Sequence, residues 1–147
     1  KEMLGARHVR EIIEVSIVRE VALNHDAALI KALRKIITQQ QNVKPGDRKT
    51  FLTLDDALHT MLALHAGREY AWRVTESIKS QIDRVRFLTY DFSKPTAQII
   101  AEHSALVDSI ETGNPDLAAQ QMEHHLREIL ASLPLIAERY PEHFIED

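Results

Sequence analysis

The 147 residues include no cysteine, which excludes disulfide staples and thiolate zinc sites and fits a reducing cytosol. Only 4 glycines and 5 prolines punctuate the chain, too few for a loop-rich or low-complexity segment. No apolar run approaches membrane-spanning length, and no secretory signal opens the sequence. Positive charge is not in excess either. The 18 Lys and Arg against 22 Asp and Glu leave a formal charge of −4, a poor balance for gripping a phosphate backbone. That argues only about this segment, not about another part of a longer protein. The first residue is Lys1 and the pattern is already helical by Val9, so we expect an N-terminal portion to precede it.

What is present is a globular composition, 44% hydrophobic, in a length that suits one domain with a real core. Strand signals are nearly absent, and apolar residues recur at a 3.6-residue period throughout. The expected fold is all-α, an antiparallel bundle of six to seven helices. Six segments are read, roughly Gly5–Leu23, Asp26–Gln41, Lys49–Ala66, Glu69–Tyr90, Pro95–Thr112 and Pro115–Arg139. Asp26 suits an N-cap, Asn42 to Asp47 a loop, and Gly67 a helix stop. Pro134 should kink or split the last segment.

The residues that could carry chemistry are histidines on apolar stripes. His103 falls among Ile99, Leu106, Val107 and Ile110, and His125 among Ala118, Met122, Ile129 and Leu133, whereas His124 points away. Gly113-Asn114-Pro115 between them is a helix stop, turn and helix start. Both histidines lie eleven residues from Asn114 (114 − 103 and 125 − 114), so on two antiparallel helices they sit at one level, roughly 16 Å from the turn. Upstream, Asp55 and His59 form a D-x3-H pair on one helix face. Three imidazoles and one carboxylate directed inward suit a divalent first-row metal.

Blander readings stand beside this. A single histidine on an apolar face is commonly a hydrogen-bonded core residue, and Asp55–His59 alone can be a surface ion pair. Arg10 lies in an apolar column with Glu14 one turn on, so it either pairs with Glu14 or offers its fork to a carboxylate ligand. Arg86 flanks the Ala71-Val74-Ile78-Ile82-Val85 seam and, from the residues alone, reads as solvated or snorkelling. Trp72 reads as packing, and His8, His25, His65 and His143 as surface or interhelix polar contacts.

Four motifs in order resemble the C-terminal FCD domain of GntR-type bacterial transcription regulators of the FadR subgroup. They are Arg10-Glu-Ile-Ile-Glu14, Asp55-Asp-Ala-Leu-His59, Glu102-His103 and Met122-Glu-His-His125-Leu126. Arg68, after Ala66-Gly67, departs from the family's usual Asn. The resemblance implies a cytoplasmic, homodimeric regulator whose DNA contacts belong to an N-terminal winged helix-turn-helix domain absent from this sequence. It implies that Asp55, His59, His103 and His125 hold one divalent ion, zinc first, with nickel or another first-row metal as alternatives. It also implies a small organic acid effector, for which Arg10 and Arg86 are the candidate carboxylate partners. Two other classes remain open. A mononuclear three-histidine bundle enzyme, resembling the DinB-like group, would show turnover; a metal-free interaction module would show neither metal nor turnover. A di-iron carboxylate enzyme is disfavoured because no histidine has a Glu three residues before it.

Overall fold

A computed structural model describes residues 2–91, 94–131 and 133–143. Eight α-helices and a terminal 3-10 turn make up the described chain, with no strand among the described residues. They are α1 (Glu2–Leu23), α2 (Ala27–Gln41), α3 (Arg48–His65), α4 (Glu69–Ile78), α5 (Ser80–Thr89), α6 (Thr96–Glu111), α7 (Pro115–Glu128) and α8 (Leu133–Arg139). The expected all-α bundle is borne out.

Local chemistry explains the boundaries. Asp26 caps α2 by accepting from the Leu29 N–H at 2.7 Å, and Asp47 caps α3 through the Thr50 N–H at 3.2 Å. The α6–α7 hairpin turns where the sequence requires it. Gly113 takes φ +70°, a left-handed conformation that glycine adopts without steric cost. Asn114 then accepts from the Leu117 N–H at 3.0 Å, and Pro115 opens the first turn of α7. Asn114→Ala should therefore cost about 1 kcal/mol, read as a lower urea midpoint at unchanged slope.

The segment expected as one helix from Glu69 to Tyr90 is two, α4 and α5, meeting at Lys79. Neither proline nor glycine stands there. Instead Thr75 Oγ1 and Ser77 Oγ donate to the carbonyls of Ala71 and Val74, a back-bonding that bends helices. Lys79 is itself buried, its ammonium held by Asp83 on α5 and by Asp56 of α3 at 3.0 Å. The last expected helix is split as Pro134 requires: α7 ends at Glu128, and α8 begins at Leu133.

Helix α1 packs chiefly on α7, α6 on α7, and α2 on both α3 and α6. The core runs through Ile17, Val18, Val21, Leu33, Leu58, Leu62, Leu106, Val107, Ile110, Met122 and Leu126, with Trp72 packed against it as expected. One stripe of α1 explains where the site lies. Ile17, Val18 and Val21 are apolar, but Arg10 and Glu14, on the same buried stripe, are charged. The apolar core therefore gives way to a buried polar layer, which continues through Asp55, His59, His103 and His125. Among the described residues, no helix is long and apolar enough to cross a membrane.

Candidate metal centre and adjoining cavity

One turn of α3 places Asp55 and His59 on the same inward face, and the α6–α7 hairpin brings His103 and His125 against it. All four are buried, none more than 2% exposed. One ligand atom from each lies within 4.8 Å of the others, and no other such group of His, Asp and Glu occurs among the described residues. His125 Nε2 is 3.2 Å from His59 Nε2 and 3.3 Å from His103 Nε2. Asp55 Oδ1 lies 3.0 Å from His103 Nε2 and 4.0 Å from each of the other two. The matched levels read from the sequence are thus met in space.

The far side of each ring fixes which nitrogen faces the centre. His59 Nδ1–H donates to Glu14 Oε1, His103 Nδ1–H to Gln40 Oε1 at 2.8 Å, and His125 Nδ1–H to Glu102 Oε2 at 2.7 Å. With Nδ1 protonated in every ring, each neutral imidazole turns an Nε2 lone pair inward. Asp55 Oδ1 has no hydrogen-bond partner despite its closeness to His103. Four electron-pair donors therefore converge with no proton among them, an arrangement that repels itself unless a cation sits at its centre. The donor set, three nitrogens and one oxygen, fits a divalent first-row ion.

Electrostatics keep these groups in their ligating forms. Burial pushes His103 below the usual histidine range, outweighing the pull of Asp55. Burial, reinforced by His103 and His59, pushes His125 well below it. For Asp55 burial acts in the opposite direction, but the Arg86 guanidinium, bonded to its other oxygen, overcomes it and holds the carboxyl well below its ordinary value. Burial likewise works to raise Glu14, yet Arg10 and His59 bring it down to about 2. Glu14 is thus a carboxylate on the far side of His59, strengthening that imidazole as a donor.

The two arginines occupy different places. Arg86, expected on the residues alone to be solvated or snorkelling, is buried and donates from Nη1 to Asp55 Oδ2 at 2.7 Å. The charge of Asp55, 31 residues away, draws it inward. Its Nη2 is buried with no partner. Arg10, 1% exposed, donates from Nε to Glu14, and both its terminal nitrogens are buried without partners. The pairing of Arg10 with Glu14 is present.

A small cavity of ≈ 40 Å³ opens beside the four-residue group, between α3, α5, α6 and α7. Arg86 and His125 line its inner end, Phe51 and Ile99 its apolar walls, and Lys94 and Glu128 its outer end. Arg10 is not among the lining residues. Neither is Arg68, whose guanidinium is exposed and paired with Glu20 at 2.6 Å and 3.0 Å. The remaining histidines fall where expected: His8 is exposed, and His25 and His65 bond the carbonyls of Ala22 and Asn24, each at 2.9 Å. The His143 side chain lies outside the described residues.

Sequence reading missed Gln40, and named Glu102 and Glu14 only as motif residues, with Glu14 a partner of Arg10, not as Nδ1 acceptors. A signal existed for one of them. Gln40 continues the Leu33-Ile36-Ile37 stripe of α2, a polar residue on an otherwise apolar face.

Comparison with known proteins places the chain in a family. The family model described as the FCD domain matches residues 6–128, which include all four of Asp55, His59, His103 and His125. Among curated proteins, the HTH-type transcriptional repressor RspR of Escherichia coli (strain K12) is 26% identical over 140 residues, 95% of this chain and 61% of the relative. An uncharacterized HTH-type transcriptional regulator in an unstable DNA locus of Streptomyces ambofaciens is 28% identical over 142 residues, 97% of this chain and 60% of the relative. The chain thus spans about three-fifths of the length of these curated relatives. With its family model matched over most of its length and its motifs gathered at one buried centre, the chain belongs to the FCD domain family.

Proposed function

We propose that this chain is the ligand-sensing domain of a transcription regulator, binding a small organic acid with the help of one divalent metal ion. The observation that carries the reading is the convergence of three Nε2 lone pairs and the unpartnered Asp55 Oδ1 beside a cavity lined by Arg86. Asp55, His59, His103 and His125 would hold the ion, with zinc the first choice and nickel or another first-row metal the alternatives. When bound, the ion supplies positive charge and, beyond four ligands, a coordination position.

The residues of the chain do the rest. Arg86 keeps Asp55 ionised through Nη1 and has Nη2 unpartnered to donate to an acid's carboxylate. Phe51 and Ile99 provide apolar walls for a short carbon chain. Arg10, enclosed with Glu14 and outside the cavity lining, acts by holding Glu14 ionised behind His59, and we assign it this supporting part in effector binding.

Sensing requires differential affinity for two packings of the bundle, not turnover, so we propose no enzymatic activity. Similarity to HTH-type regulators supports DNA contact through a helix-turn-helix domain, which we propose to be N-terminal and winged, in a cytoplasmic homodimer. The test is calorimetric titration of C2–C6 acids into the domain with and without zinc. One acid should bind with zinc at least about tenfold more tightly than to chelated protein, a coupling of about 1.4 kcal/mol. Acid binding that ignores the metal, or consumption of the acid, would overturn the reading.

A further inference from the structure

The cavity carries an asymmetry of charge that bears on which acid it accepts. Its inner end offers a charged donor, since Arg86 lines it, spends Nη1 on Asp55 and has a buried, unpartnered Nη2. Its outer end differs. Lys94 is shared there between two carboxylates, Glu102 in close contact and Glu128 at 3.5 Å, and both of these also line the cavity. One positive charge against two negative charges leaves the outer end with a surplus of one negative charge. Side-chain exposure rises along the cavity from 8% at Arg86 through 12% at Glu102, which also holds His125, and 20% at Lys94 to 39% at Glu128.

Resting on the acid-sensing reading above, we propose that this outer trio is a charge filter, so that the cavity takes a small monocarboxylate and rejects the dicarboxylate of the same length. The carboxylate of a monoacid entering toward Arg86 leaves an apolar tail between Phe51 and Ile99, beneath Lys94. A second carboxylate at the outer end would meet Glu102 and Glu128, and could reach Lys94 only by displacing one of them. The displaced carboxylate would then be left beside the newcomer with no cation of its own. Like charges brought together in a partly desolvated cavity exclude the wrong ligand more effectively than added contacts select the right one. Glu102 is bound at once to Lys94 and to His125 Nδ1, so it is fixed in place. Glu128, the more exposed of the two, is the specificity-determining position that can be varied without touching an imidazole.

The test compares butanoate with butanedioate by calorimetry on zinc-supplemented protein, wild type beside Glu128→Gln and Glu128→Asp. The wild type should prefer butanoate by roughly tenfold or more. Glu128→Gln, which removes the surplus charge, should bring that ratio toward unity, and Glu128→Asp should keep it. Equal or tighter binding of butanedioate by the wild type overturns the filter alone, as does a ratio unmoved by Glu128→Gln. Failure of both acids, and of the rest of the C2–C6 series, to bind with zinc present overturns the filter together with the acid-sensing reading.

Discussion

Replacing both His59 and His125 with alanine is expected to abolish stoichiometric metal binding. The double variant removes two of the three Nε2 donors and leaves Asp55 and His103, too few ligands to hold an ion in competition with water. Stability gives the second readout. An ion bound only by the folded chain, at about a thousandfold above its dissociation constant, stabilises by about 4 kcal/mol. For a domain of this size that corresponds to a rise of roughly 10 °C in melting temperature. The wild type should show that rise on adding zinc and lose it with chelator, while the double variant should melt at one temperature under both conditions. Circular dichroism before the melt establishes that the variant retains its helices. Persistence of one tightly held ion in the folded double variant would remove His59 and His125 from the ligand set.

The second large effect concerns stability without metal. Glu14 accepts from both Arg10 Nε and His59 Nδ1, and the side chains of all three residues are at most 3% exposed. Glu14→Ala would leave the Arg10 guanidinium buried with no counter-charge, since its other nitrogens already lack partners. Breaking a buried pair from one side costs about 3–5 kcal/mol, far more than removing both charges together. Urea unfolding of chelated protein should therefore show a large loss for Glu14→Ala and a much smaller one for Arg10→Met combined with Glu14→Leu. The single variant should also weaken zinc binding about 10- to 100-fold, because His59 loses the group that orients and polarises its ring. If Glu14→Ala costs less than about 1 kcal/mol, the Arg10–Glu14 pair is not the buried element described here.

The parts of this molecule that were legible in its sequence are those governed by short-range rules. Helical periodicity and the Gly113-Asn114-Pro115 signal located the α6–α7 hairpin, and counting outward from the turn put His103 and His125 at one level. The i,i+4 spacing of Asp55 and His59 put a third imidazole and a carboxylate on one face of α3. The illegible parts depend on partners distant in the chain. Glu14, Gln40 and Glu102 lie 45, 63 and 23 residues from the histidines they orient, on three different helices. No local pattern announces such pairs. The inward turn of Arg86 required Asp55 on α3, and the burial of Lys79 at the α4–α5 break is matched by Asp56 on the same helix, so neither could be read from the seam of the fourth segment alone. The family resemblance carried by the four motifs held over most of the chain, with residues 6–128 matched.

The central claim is that the buried aspartate and three histidines form a metal centre. Its most direct test is elemental analysis of the domain purified without a histidine tag, after gel filtration in metal-free buffer. The account predicts about one divalent first-row ion per chain, taken up again after stripping and released by chelator. A protein that emerges metal-free and takes up no ion when zinc or nickel is supplied would contradict it.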